Sequence, residues 1–147
     1  LLHQITSGLE HIHKSGFIHR DIKPANIFMS EDRVMIGDFG LAKSMKTMKS
    51  GAEQDLTLGV GTLLYASPEQ LSRKPYSYAT DIYSLSVIML ELFFPFCTSF
   101  DRMAHLVNLR KGEIPDCLKK RWPEECDLLL RMANADPYQR PTATEVL

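Results

Sequence analysis

His19-Arg20-Asp21-Ile22-Lys23-Pro24-Ala25-Asn26 places a carboxylate, an ammonium and a carboxamide along one short stretch, and Asp38-Phe39-Gly40 adds a second carboxylate twelve residues on. A carboxylate beside a substrate hydroxyl can accept its proton, and an ammonium can steady a moving phosphoryl group. An amide oxygen with a second carboxylate can hold Mg²⁺. Together these groups form a phosphoryl-transfer constellation, provided the fold brings Asn26 and Asp38 together.

The residues between them supply that fold. Asn26-Ile27-Phe28-Met29 and Val34-Met35-Ile36-Gly37 flank the turn Ser30-Glu31-Asp32-Arg33, which predicts a short β-hairpin. Such a hairpin sets Asn26, at the start of one strand, beside Asp38, just past the end of the other. Upstream, Leu1, Leu2, Ile5, Leu9 and Ile12 recur at helical spacing and end in Lys14 and Gly16, an amphipathic helix with a basic last turn and a glycine stop. Phe17-Ile18 then leads into the His19 loop. His3, His11 and His13 lie in this helix, but His11 and His13 are two apart and diverge, so solvated or partner-packed histidines are expected rather than metal ligands.

Downstream, Lys43 to Thr57 is rich in Lys, Met, Ser and Thr without periodicity and reads as a surface loop. Gly59-Val60-Gly61 does not open a helix after a strand, so a dinucleotide site is rejected. Tyr78 to Phe94 has the composition of a helix buried on most sides. Asp81 sits where a carboxylate suits the helix dipole, and Pro95 ends the run. Ser99 to Arg110 is a second helix with Phe100, Met103, Leu106, Val107 and Leu109 as its apolar set. A loop over Lys111 to Arg121 follows, then a helix from Pro123 through Asn134, with Leu128 to Leu130 and Met132 inward, stopped by Asp136-Pro137. The fold class is therefore mainly α.

With 44% apolar and 24% charged residues over 147 positions, the chain can bury a sizeable core, which excludes disorder throughout. A net charge of −1 with interspersed signs gives no field for nucleic acid or an anionic membrane. Cys97, Cys117 and Cys126 have no ligand spacing and are odd in number, fitting reduced thiols in a cytoplasmic setting. The apolar run Ile82 to Cys97 is broken by Glu91 and Pro95 and falls short of the ~20 apolar residues of a spanning helix. The sequence lacks an initiating Met, and Thr142 to Leu147 looks like a helix cut short, so it reads as a fragment of a longer protein.

His-Arg-Asp with Asn five residues after the Asp, followed by Asp-Phe-Gly, resembles the C-terminal lobe of a eukaryotic-type protein kinase over the whole chain. The resemblance implies one catalytic domain over 1–147 without its N-terminal lobe, with catalytic loop 19–26 and activation segment 38–69. Lys23 points to the serine/threonine type. By that likeness Asp21 is the base, Lys23 contacts the phosphoryl group and ATP, Asn26 and Asp38 hold Mg²⁺, and Thr62 supports Asp21 and Lys23. His19 and Phe39 stack, and Gly40 lets the backbone reverse. Arg20 pairs with a phosphorylated residue of the activation segment, Thr57 or one of Ser44, Thr47 and Ser50. Glu69 pairs with Arg140, and Asp81 accepts backbone hydrogen bonds from the catalytic loop. Ser67-Pro68-Glu69 departs from the usual Ala-Pro-Glu, and Ser86 stands where Gly is usual.

Gly61 to Leu71, Asp81 to Leu85 and Glu91 to Phe96 resemble the kinases of the translation initiation factor 2 alpha subunit, in particular the haem-regulated and endoplasmic-reticulum members. That likeness implies a serine of this factor as substrate, docked on the helix of residues 99–110, in a stress response that lowers translation. It also implies dimerisation through regions outside these residues. Another serine/threonine kinase, or a pseudokinase scaffold, is the alternative. The glycine-rich loop and ATP-anchoring Lys of the family are not in this sequence, so the segment alone is expected to transfer little phosphate.

Overall fold

The computed structural model describes residues 1–31, 33–44 and 62–147. Thr57, Gly59 and Gly61 lie outside the described residues, and so does the side chain of Thr62. Helix α1 (Leu2–Lys14) buries Ile5, Leu9 and Ile12 and ends where Gly16 turns at φ 85°, a conformation that glycine adopts without strain. Strand β1 (Phe17–Ile18) follows, then the catalytic-loop sequence and a hairpin of β2 (Ile27–Ser30) and β3 (Arg33–Ile36). The hairpin register pairs Ile27 with Ile36 and Ser30 with Arg33. It extends one step further, since Gly37 N–H donates to Asn26 O at 2.9 Å. Asn26 and Asp38 are thereby held at the same open end.

Strand β4 (Lys43–Ser44) pairs antiparallel with β1, Phe17 opposite Ser44 and Ile18 opposite Lys43. This corrects the start of the expected loop, whose first two residues are a strand that ties the chain after Asp38 to the chain before His19. Six residues after Thr62, a short helix α2 (Pro68–Leu71) begins, capped by Ser67 and Gln70 in a reciprocal box.

Helix α3 (Ala79–Phe93) is the centre of the core: eleven consecutive residues, Thr80 to Leu90, are buried, so it has no solvent face. Each fully buried large aliphatic is worth about 1.5–3 kcal/mol, and Ile82, Leu85, Met89 and Leu90 pack with Ile5, Leu9 and Leu129. Of the polar residues that α3 buries, the Tyr83 phenol oxygen has no hydrogen-bond partner among the described residues, whereas both serines are satisfied inside. Ser84 Oγ donates to Tyr65 O at 2.9 Å, and Ser86 Oγ donates to Tyr83 O at 2.6 Å, so serine at position 86 is accommodated without an orphaned hydroxyl.

Helix α4 (Ser99–Leu109) is capped by Thr98, whose Oγ1 accepts from Asp101 N–H. Its expected apolar set splits. Leu106 and Leu109 are buried, whereas Phe100, Met103 and Val107 are exposed by 80%, 51% and 44%. The inward face is 102, 105, 106 and 109, with Arg102 bonded to Glu91 and His105 packed on Phe94 and Phe96. Residues 111–121 are not all loop: α5 (Asp116–Arg121) forms there around one buried anchor, Leu118. Helix α6 (Pro123–Met132) buries Cys126, Leu129 and Met132, and α7 (Ala143–Val146) closes on α1 through Thr144 Oγ1 donating to Glu10 at 2.7 Å.

Candidate active site

The catalytic loop is built on one carboxylate of the core. Asp81, fully buried at the start of α3, accepts from His19 N–H through Oδ2 at 2.9 Å and from Arg20 N–H through Oδ1 at 2.8 Å. His13 Nε2 lies 2.9 Å from the same Oδ2, with its ring packed on Tyr78. These bonds hold Arg20 at φ 74°, a left-handed conformation that costs a non-glycine residue about 1 kcal/mol or more.

Asp21 is buried, and its two oxygens are treated differently. Oδ2 accepts from Lys23 Nζ at 2.7 Å and from Asn26 Nδ2 at 3.1 Å. Oδ1 is buried and has no hydrogen-bond partner among the described residues. Asn26 Nδ2 also donates to Asp21 O at 2.8 Å. With both amide protons committed to Asp21, the Asn26 carbonyl oxygen is the atom left to meet a cation.

His19 is fully buried and acts as packing. Its Nε2 lies 3.0 Å from Gly37 O, and its ring meets Phe39 edge-on at 5.0 Å, which joins the loop to the far side of the hairpin. Asp38 is exposed, in a left-handed conformation at φ 59°, with Oδ1 accepting from Gly40 N–H at 3.3 Å. The chain reversal therefore falls on Asp38 and not on Gly40, as the sequence had suggested. Gly40 matters for space: a Cβ there would lie 3.2 Å from Asp38 Oδ1 and crowd the carboxylate.

No three His, Cys, Asp or Glu side chains cluster as a metal site among the described residues. A divalent cation at the hairpin mouth would rest on the Asn26 amide oxygen and the Asp38 carboxylate. Phosphate oxygens and water would fill the remaining positions, a hard oxygen set of the kind Mg²⁺ takes.

The segment after the catalytic loop is anchored from below. Arg140 grips Glu69 with both arms, Nη1 to Oε1 at 2.6 Å and Nη2 to Oε2 at 2.8 Å, and Thr80 Oγ1 adds a third bond to Glu69 at 3.0 Å. Burial pushes the Glu69 carboxyl up, but the Arg140 hydrogen bonds and charge outweigh it and hold the group below its ordinary value. Next to it, Gln70 Nε2 donates to Arg20 O at 3.0 Å, a direct tie between α2 and the catalytic loop.

Gln70 was not singled out from the sequence, although Ser67-x-x-Gln70 is a readable capping box. His13 and the cluster of Tyr65, Glu91 and Arg102 were also missed as partners. Their meeting depends on contacts 68, 26 and 37 residues apart in sequence, for which spacing gives no signal. Burial, with the charge of Glu91, pushes the Tyr65 phenol up to about 12.

The comparisons with known proteins agree with this geometry. The protein kinase domain family model matches residues 1–147. Rat eukaryotic translation initiation factor 2-alpha kinase 1 is 40% identical over 100% of this chain and 25% of its own length. The Caenorhabditis elegans initiation factor 2-alpha kinase pek-1 is 41% identical over 97% of this chain and 14% of its own, and eIF-2-alpha kinase GCN2 of Arabidopsis thaliana is 41% identical over 100% and 13%. Among solved structures, the twitchin kinase region of C. elegans superposes with a TM-score of 0.75 at 26% identity, covering 99% of this chain and 26% of that one. The chain thus spans a quarter or less of the curated relatives named here. On the full-length match to the family model, it belongs to the protein kinase domain family and is, within it, most like the initiation factor 2-alpha kinases.

Proposed function

We propose that the full-length protein carrying this chain is an ATP- and Mg²⁺-dependent serine/threonine kinase. Its substrate is a serine of the translation initiation factor 2 alpha subunit, and its role is to lower translation under stress. The observation that carries the reading is Asp21: one oxygen is saturated by Lys23 and Asn26 while the other, Oδ1, is buried and unpartnered among the described residues. Leaving a buried carboxylate oxygen unsatisfied costs about 1–3 kcal/mol, which a catalytic task explains and a structural one does not.

In this reading Asp21 Oδ1 accepts the proton of the serine hydroxyl as that oxygen bonds to the transferred phosphorus. Lys23, already oriented by Asp21, offsets charge on the phosphoryl oxygens. Asn26 and Asp38 hold the Mg²⁺, and Mg-ATP when bound supplies the activated phosphoryl group. Thr62 supports Asp21 and Lys23 for a hydroxyl acceptor. Arg20 receives a phosphate from the activation segment, at Thr57 or at Ser44, Thr47 or Ser50; its Nε and Nη2 are buried without a partner among the described residues.

The docking surface is the outer face of α4. Phe100, Met103 and Val107 stand at i, i+3 and i+7 and leave an apolar stripe in solvent, the pattern by which a helix meets a folded partner. In the full-length kinase with ATP, Mg²⁺ and the factor's alpha subunit, Phe100→Ser with Met103→Ser is expected to lower factor phosphorylation roughly tenfold or more. Autophosphorylation should stay within about twofold. Equal loss of both reactions would count against docking, and a wild-type enzyme that leaves the factor unmodified would remove the substrate assignment.

A further inference from the structure

Helix α4 has a second face that the docking reading does not use. Toward the interior it sends two arginines to residues 63–65. Arg102 Nη2 donates to Tyr65 Oη at 2.6 Å and Arg102 Nε donates to Glu91 Oε1 at 2.6 Å, while Tyr65 Oη donates to Glu91 Oε2 at 2.9 Å. The three side chains close a ring between α4, α3 and the segment before α2. At the other end of the helix, Arg110 Nη2 donates to Leu63 O at 2.6 Å and reaches Leu64 O at 3.4 Å.

Ser84 of α3 takes the next carbonyl, Tyr65 O, at 2.9 Å. Three successive backbone carbonyls, Leu63, Leu64 and Tyr65, thus accept from side chains that are 47, 46 and 19 residues away in sequence. A connecting segment on a protein surface ordinarily gives its carbonyls to water or to a local turn. This one is held from outside at every step, its carbonyls by one nitrogen of Arg110 and the Ser84 hydroxyl and its Tyr65 side chain by Arg102.

The same segment continues into the catalytic loop. Ser67 N–H donates to Gln70 Oε1 at 3.0 Å, and Gln70 Nε2 donates to Arg20 O at 3.0 Å, one residue before Asp21. Residues 63–70 therefore form a bridge bonded to α4 at one end and to the catalytic loop at the other. Through Gln70 and Arg20, a shift of this bridge reaches the backbone that carries Asp21.

The geometry points to Arg102 and Arg110 as positioning residues for the phosphoryl acceptor: they tie residues 63–65 to α4 and so set, from that helix, where the acceptor hydroxyl sits against Asp21. The inference rests on the kinase reading above, but it does not depend on which protein is the acceptor. The two faces of α4 then divide the work, the outer stripe holding a partner and the inner arginines holding the seat for its hydroxyl.

The test uses the full-length kinase and separates acceptor placement from nucleotide handling. Arg102→Met, Arg110→Met and Tyr65→Phe are each expected to lower kcat for protein phosphorylation roughly 10- to 100-fold, the size of loss that follows a misplacement of about 1 Å. The KM for ATP and the slow hydrolysis of ATP by water should stay within about twofold. Tyr65→Phe combined with Arg102→Met should lose no more than the worse single change, because both break one ring. Arg110→Met and Tyr65→Phe leave the Arg102–Glu91 pair intact, so they remain decisive if Arg102→Met lowers the melting temperature. Undiminished kcat in both, or an equal fall in acceptor-free hydrolysis, overturns the clamp. If the wild type does not modify the initiation factor, that counts against the substrate proposal alone, and the clamp is read with autophosphorylation as the acceptor reaction.

Discussion

The catalytic loop and the Glu69–Arg140 anchor are both buried polar clusters within one small fold, and they treat their hydrogen-bonding capacity in opposite ways. Around Glu69, both carboxylate oxygens accept from Arg140, and Arg140 places two further donors on Asn134 O at 2.8 Å and Ala79 O at 2.9 Å. Asp81 is equally complete, with His13, His19 and Arg20 around it. In the loop that these two groups support, Asp21 Oδ1 and Arg20 Nε and Nη2 are buried without partners among the described residues. Burying a polar atom unsatisfied is unfavourable by about 1–3 kcal/mol; the phenol oxygens of Tyr76 and Tyr83 are also buried without a hydrogen-bond partner among the described residues, but neither belongs to a charged group as the Asp21 and Arg20 atoms do. The comparison sorts the charged groups: those that hold the loop are paired within the fold, and the unpaired ones are those to which the proposed function assigns the reaction.

The sharpest way to break that contrast is to change one group of each kind. Asp21→Asn in the full-length kinase is expected to lower phosphoryl transfer by roughly 10²- to 10⁴-fold, the range for a positioned base. The melting temperature should hardly move, since Asn keeps an acceptor for Lys23 and Asn26. Arg140→Met should do the reverse. It leaves the Glu69 carboxylate buried and unpaired and is expected to destabilise the fold by about 3–5 kcal/mol, read as a fall in the melting temperature. Adding Glu69→Gln should recover part of that loss, because the uncompensated charge is then gone. If Asp21→Asn unfolded the protein while Arg140→Met only slowed it, the division would be the wrong way round.

Much of the chemical side of this contrast was legible in the sequence, because it is local. Asp21, Lys23 and Asn26 lie within one loop, and the hairpin that brings Asn26 toward Asp38 has a turn that composition announces. Helix α3 was legible for the opposite reason, an apolar run too dense for a surface helix. What was not legible is non-local or hides its period. Strands β1 and β4 are two residues each, and Phe17 meets Ser44 from far along the chain. Helix α5 has one buried anchor, Leu118, which leaves no periodicity to detect. Helix α4 misleads more instructively. Leu106 and Leu109 face inward, but Phe100, Met103 and Val107 face solvent, and the inward face is completed by Arg102 on Glu91 and His105 on two phenylalanines. A pattern that equates apolar with inward widens the buried face of such a helix to side chains that stand in solvent.

Acid titration probes the saturated side more gently. Arg140 holds the Glu69 pKa below its ordinary 4.5 in the fold, so below 4.5 the unfolded chain binds the proton first. The contribution of Glu69 to stability is therefore complete above that value and disappears as pH falls through the folded pKa. The difference in melting temperature between wild type and Glu69→Gln should be constant from neutral pH down to about 5 and should narrow below 4.5. A gap that persists unchanged to pH 3 would mean that Glu69 is not held as a carboxylate by Arg140.

The smallest expected effect concerns Ser67, the residue before Pro68-Glu69. Here its Oγ accepts from Gln70 N–H at 3.4 Å, and its own N–H is taken by Gln70 Oε1, so it caps α2. Ser67→Ala removes the cap's oxygen but leaves both the Ser67 N–H to Gln70 bond and the Gln70 to Arg20 O bond in place. It is expected to lower stability by about 1 kcal/mol, the usual worth of an N-cap, with kcat unchanged within about twofold. Gln70→Leu is the contrasting change: it frees Arg20 O beside Asp21, so a similar loss of stability should now come with a measurable fall in kcat. Were Ser67→Ala to reduce kcat as much as Gln70→Leu, the serine would belong with the unsaturated groups that serve the reaction, and the boundary between scaffold and chemistry would have to be moved one residue toward α2.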